Sequence, residues 1–284
     1  MSGARIAVVL RPEQPPEDLI QLARHADELG IDEVWLWEDC FFGGGIATAA
    51  TVLAEAGRLG VAIGVLPTPM RNTAITAMEI SALARIHPDR LRVGFGHGVQ
   101  SWMRQIGAKA ESPLTLLREQ FGAVERLLRG ETVTVSGRYV NLEDVTLAWP
   151  PEKMPQLLVG ATGPKTLALS GELAQGTVLS GGTTPDGVRR AIEHVGAQDH
   201  EVVVYVICAF GSDGRERALA EAAASGCESP EEAIAVGTAA EVAAAAQRWV
   251  DAGATTVVLQ PTVDEPDVRE FIRLVAQEVQ PLSV

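Results

Sequence analysis

Two hydrophobic periods alternate along the chain. Short runs of consecutive apolar residues, the kind that fill both faces of a buried parallel strand, are each followed by a stretch with apolar residues at helical spacing. The expected strand and helix pairs are 5–10 with 16–29, 33–37 with 46–59, 60–66 with 73–86, and 91–95 with 113–129. They continue as 156–160 with 164–173, 177–180 with 185–195, 201–208 with helical stretches over 215–236 and 239–252, and 255–260 with 266–279. Gly30 falls where the first helix needs a left-handed C-terminal residue, and Pro164 and Pro185 fall at first helical positions. Eight such units in 284 residues favour a closed (β/α)8 TIM barrel over an open doubly wound sheet. Between 131 and 149 the rhythm breaks: the β-like pieces 132–135 and 138–141 flank Ser136-Gly137, as in a hairpin inserted after the fourth helix. With no linker, low-complexity tract or internal repeat, residues 1–284 read as a single barrel domain.

Composition narrows the function classes. A net charge of -14 opposes contact with nucleic acid or anionic lipid, although a few backbone N–H groups can still hold a small anion. No apolar run approaches the ~18 residues that cross a bilayer, and the N-terminus reads as a strand rather than an export signal. Cys40, Cys208 and Cys227 show no metal-ligand spacing and leave an odd count, as expected of a reducing cytoplasm.

A barrel of this kind places chemistry at the C-terminal ends of its strands, and four such places carry unusual residues. After the second strand come Glu38, Asp39 and Cys40, then two phenylalanines and three glycines; an acid there could move a proton or bind a cofactor, while Cys40 could equally be a small buried hydrophobe. The third strand, through Gly64, Val65 and Leu66, breaks into Pro67-Thr68-Pro69, which can be only a rigid turn, and then Arg71-Asn72. After the fourth strand Gly94, Gly96, His97 and Gly98 form a loop whose glycines let backbone approach a flat or anionic ligand. His97 is the histidine of the five that sits in such a loop; it can be catalytic or structural. Finally, Gly160-Ala161-Thr162-Gly163 and Ser180-Gly181-Gly182 each precede a helix that starts with proline. Together they suggest a phosphate cradle, the alternative being ordinary caps at Gly163 and Thr184.

These residues resemble, over nearly the whole length, the luciferase-like monooxygenase superfamily, in particular its coenzyme F420-dependent oxidoreductase branch. The anchors are 31–39, Arg71-Asn72, 89–98, 160–165 and Val236-Gly237-Thr238. The resemblance implies F420, or alternatively FMN, with its ring near strands two to four, against Asp39, Cys40, Gly64, Val65, Leu66, Gly96, His97 and Gly98, and its phosphate on 160–163 and 180–182. It also implies a non-prolyl cis peptide at Gly64-Val65 behind the ring, a homodimer, and hydride transfer to a small organic substrate with Asp39, Cys40 and His97 as catalytic candidates. No metal is expected. An FMN-dependent monooxygenase fed by a separate reductase, or an inert cofactor-binding relative, are the alternatives, and an unrelated phosphate-binding isomerase or aldolase barrel is a further one. Alcohol-oxidising relatives carry Asp-His where this chain has Asp39-Cys40, and glutamate where it has Val99, so alcohol dehydrogenation loses its usual base and acid here.

Overall fold

The computed structural model describes residues 4–282. In chain order the strands are β1 (Arg5–Val9), β2 (Glu33–Leu36), β3 (Gly60–Pro67), β4 (Leu91–Gly96), β5 (Val133–Ser136), β6 (Asn141–Val145), β7 (Gln156–Gly160), β8 (Gly176–Leu179), β9 (Glu201–Phe210), β10 (Ile234–Gly237) and β11 (Thr256–Pro261). Eight of these described strands pair in parallel in the order β1-β2-β3-β4-β7-β8-β9-β11, and β11 pairs back onto β1 to close a (β/α)8 barrel. The helices between them are α1 (Leu19–Glu28), α2 (Gly45–Glu55), α3 (Thr73–Ile86), α4 (Gln100–Gln105), α5 (Pro113–Leu128), α6 (Pro164–Leu173), α7 (Pro185–Val195), α8 (Gly214–Ala224), α9 (Ala239–Asp251) and α10 (Val268–Leu274).

The strands are buried on both sides, which is why they read as continuous apolar runs. Outward-facing residues such as Leu36, Ile63 and Phe95 join Leu53, Ile80, Phe121 and Trp249 of the helices in one large core. Inward-facing residues, among them Val9, Trp35, Ala62, Leu158, Val203 and Tyr205, fill the barrel itself. At its N-terminal end the barrel is closed by charge rather than by apolar side chains. Buried Arg92 donates from Nη1 to Glu33 (2.8 Å) and from Nη2 to Glu201 (2.5 Å), and its guanidinium lies 5.1 Å from the Trp35 ring centre. Glu201 also accepts from Arg5, Gln156 and Thr256.

Four expectations need correction. The helical stretch over 215–236 ends at Ala224, and Ile234–Gly237 forms β10 on the upper half of β9, beyond the reach of β8. Its Ala- and Glu-rich surroundings hide a four-residue strand that only a partner edge reveals. The returning hairpin strand is Asn141–Val145 rather than 138–141, because Glu119 on α5 takes the N–H groups of Arg138, Tyr139 and Val140 for its own carboxylate. The short helix α4 follows the glycine loop unannounced, while the hairpin follows the helix over 113–128 as expected, that helix being the fifth in chain order. The second helix stops at Glu55 rather than 59. Gly57, Arg58 and Leu59 donate instead to the Asp27 carboxylate.

Candidate active site

The site grows from the end of β3. Its ladder to β4 slips between Ile63 and Leu66, where the Gly64–Val65 peptide is cis. The carbonyls released from the ladder are caught across the barrel: Tyr205 donates its hydroxyl to Gly64 O (3.1 Å), and Glu38 N–H donates to Val65 O (3.3 Å). Trp35 and Trp37 each meet the Tyr205 ring edge-on at 5.7 Å and hold it upright.

The glycine loops serve this bulge, which sequence reasoning did not foresee. A Cβ built on Gly96 would lie 2.5 Å from Val65 Cγ2, one on Gly160 2.7 Å from Cγ1, and one on Gly94 2.9 Å from Cγ1. The glycines that suggested backbone approach to a ligand therefore make room for the Val65 isopropyl group. Replacing Gly96 by alanine should cost about 1–3 kcal/mol through overpacking. Adding Val65→Ala should recover most of that loss in the denaturation midpoint. An unchanged cost on the Val65→Ala background would disprove this account of Gly96.

Above Val65 opens a cavity of about 450 Å³ whose wall includes Trp37, Glu38, Asp39, Gly64, Pro67, Gly96, His97, Gly98 and Val99 on one side and Gly160, Ala161, Thr162, Ser180 and Gly181 on the other. Tyr205 and Gln260, neither singled out in the sequence, also line it. They sit mid-strand or at a strand end among apolar residues, and only barrel closure turns them inward. Gln260 is held by Glu221 (2.8 Å), which also takes Arg11.

The ionisable groups of the wall differ in how they are engaged. Glu38 is buried and accepts from Gly45 N–H (3.1 Å) and from Arg71 Nε and Nη2, while Arg71 also reaches Glu79. It ties the loops after β2 and β3 together. Half-buried Asp39 is pushed up to about 6 by burial and by the Glu13 charge, against weaker opposing pulls from the nearby Trp37 N–H and from Arg11. The Trp37 Nε1 itself has no partner within hydrogen-bond geometry, so we assign Asp39 no fixed bond to it. His97 shares a hydrogen bond of 3.0 Å between Nε2 and the Thr166 hydroxyl, and burial lowers its imidazole, with the Pro113 carbonyl opposing. It links the β4 loop to α6.

Cys40 and Leu66 do not line this cavity. The buried Cys40 Sγ–H points to the Met70 sulfur (3.8 Å), and burial with the Asp39 and Glu38 charges pushes its thiol up, away from a thiolate nucleophile. Leu66 is fully buried, facing the start of α2 beside Glu38.

The loops after β7 and β8 are asymmetric. At α6 the N-cap is Gly163 with no side-chain acceptor, whereas at α7 the Thr184 hydroxyl already takes Gly187 N–H (3.1 Å). Among the described residues no protein acceptor takes the N–H groups of Thr162, Gly163, Gly181 or Gly182. Both loops continue into a second chamber of about 500 Å³ that reaches Gly182, Arg190, His194 and Cys227. Cys227 Sγ–H donates to Gly182 O. Gly163 lines neither chamber directly. Among the described residues no group of three or more metal-ligating side chains converges, and no helix is long and apolar enough to cross a membrane.

A closed barrel with its cavity at the strand C-termini, a bulged third strand and loop N–H groups left open places the chain in the (β/α)8 barrel class. The chain belongs to the luciferase-like monooxygenase family, whose sequence model matches residues 2–254. It is 31% identical over 221 residues to 5,10-methylenetetrahydromethanopterin reductase from Methanolobus tindarius, a match that covers 75% of this chain and 67% of that enzyme. It is 29% identical over 185 residues to F420-dependent glucose-6-phosphate dehydrogenase from Microbacterium testaceum (strain StLB037), covering 60% of this chain and 54% of that one. Among solved structures, an F420-dependent secondary alcohol dehydrogenase in complex with an F420-acetone adduct superposes with a TM-score of 0.88 over 100% of both chains at 18% identity, a likeness of fold.

Proposed function

We propose that this oxidoreductase transfers a hydride between reduced coenzyme F420 and a small organic acceptor. The observation that carries the reading is the continuity of the two chambers, which share Ala161, Thr162, Ser180 and Gly181. The chamber over Val65 suits a flat ring, and the shared loops offer unengaged N–H groups to a phosphate. The chamber beyond, lined among others by Arg190, His194 and Glu228, offers room and a guanidinium that would suit an anionic extension past the phosphate, as F420 carries and FMN does not. The F420-linked names of the relatives support the same choice. When bound, the deazaflavin supplies a two-electron hydride donor or acceptor. Val65 would back the ring, the N–H groups of Thr162, Gly181 and Gly182 would hold the phosphate, and Asp39 would hold a proton at the cavity wall.

Titration of the purified protein with F420 and with FMN, followed by tryptophan fluorescence, tests this reading. F420 should bind at least about tenfold more tightly, a difference of ~1.4 kcal/mol, and Arg190→Ala with His194→Ala should narrow the gap. Tight FMN binding with no preference for F420 would instead favour a monooxygenase fed by a separate reductase. Failure to bind either would reject the proposal.

A further inference from the structure

The side of the cavity that faces away from the phosphate loops carries no cation. Among the described residues that line it, the ionisable ones are Glu38, Asp39, His97 and Tyr205. Three of the four are committed elsewhere: Glu38 to Arg71, His97 to Thr166, and the Tyr205 hydroxyl to Gly64 O. The guanidiniums beside it are engaged with carboxylates, Arg11 with Glu13 and Glu221, Arg71 with the wall residue Glu38 and with Glu79. The loops after β2 and β4 meanwhile expose large apolar side chains at this end of the barrel: Phe41 (63% exposed), Phe42 (51%), Val99 (45%) and, after α4, Ile106 (41%). A phosphate or carboxylate on the substrate would find no cationic partner in this wall and would face Asp39 beside Val99.

We infer that the acceptor is an uncharged, apolar α,β-unsaturated carbonyl compound, reduced at its carbon–carbon double bond with the proton drawn from Asp39. The inference rests on the hydride-transfer reading above. Hydride adds to the β-carbon, the π pair of the double bond shifts toward the carbonyl, and the Asp39 O–H bond breaks as a C–H bond forms at the α-carbon. The acceptor gains one hydride and one proton, with two-electron oxidation of the reduced cofactor as the balance, and water restores the Asp39 proton. An iminium acceptor would take hydride alone and need no acid. A sugar phosphate would need a cation that the wall does not supply. Asp39 is the one lining acid not tied to a partner side chain, and it is a half-buried carboxyl that holds its proton unusually late.

Stopped-flow oxidation of the protein loaded with reduced F420 tests this against cyclohex-2-enone, a carboxylate-bearing cyclohexenone, a preformed cyclic iminium and glucose 6-phosphate with the oxidised cofactor. The neutral enone should exceed the carboxylated one at least tenfold in kcat/KM, and Val99→Lys should raise the carboxylated enone at least tenfold. Preference for the carboxylated enone, the iminium or the sugar phosphate overturns the inference, as does inertness toward every acceptor while the cofactor binds. Failure to bind reduced F420 in the fluorescence titration is a separate result, which removes the hydride-transfer reading itself.

Discussion

Replacing Arg92 by methionine should destabilise the protein by about 3 kcal/mol, because it removes the buried cation shared by two carboxylates and leaves Glu33 without a charged partner. At the closed end of the barrel Glu33 would keep only the Trp35 indole N–H, and Glu201, nine-tenths buried, would keep Arg5, Gln156 and Thr256. Thermal unfolding should show a midpoint lower by roughly 10 °C for a chain of this length. The acid limb should move too. Although burial opposes it, the charges of Arg92 and Arg5 hold Glu201 below its ordinary value of 4.5, with Gln156 and Thr256 assisting. A carboxylate held low stabilises the fold fully above that ordinary value, and the contribution fades as pH falls through the folded value. Without Arg92, burial gains the upper hand and the loss should begin at a higher pH. Replacing Glu201 by leucine on the Arg92→Met background should return part of the stability, since it removes a buried charge that half-exposed Arg5 alone would then offset. A midpoint within 2 °C of wild type for Arg92→Met, by scanning calorimetry, would remove the plug from the account of stability.

Asp39→Asn should lower reductive turnover by about 10²–10³, the usual scale for losing a positioned acid, while F420 affinity changes less than threefold. The wild-type rate should depend on pH through the same group. Asp39 holds its proton up to about 6 instead of the ordinary 3.8. Reduction uses the protonated form, so single-turnover rates should level off below pH 6 and fall toward tenfold per pH unit above it. The Asn variant, which has no proton to lose, should show a flat profile over that range. A pH-dependent Asn variant, or undiminished turnover, would assign the proton to another group. His97 is engaged by the Thr166 hydroxyl.

Much of the fold was legible because each parallel strand is buried on both faces and writes an apolar run, while each crossover helix writes a 3.6-residue stripe. Gly30 at φ +81 just past α1, and Pro164 and Pro185 opening α6 and α7, punctuated those elements as their backbone chemistry requires. The strand β10 escaped, since Ile234 to Gly237 become a strand only by pairing with the upper half of β9. In the site, Asp39, His97 and the phosphate-side loops were visible as odd residues just after strands. Tyr205, buried mid-strand in a run of valines, was not.

What the sequence determined by itself is therefore the set of eight units and the end of the barrel at which unusual residues collect, because both follow from local periodicity and chain order. Tertiary structure alone decided what those residues do. It gave Gly94, Gly96 and Gly160 to the Val65 side chain, set Cys40 against Met70 outside the cavity, and left Asp39 as the lining acid without a fixed partner. Such roles depend on distances between strands far apart in the chain, and no periodicity in the sequence records them.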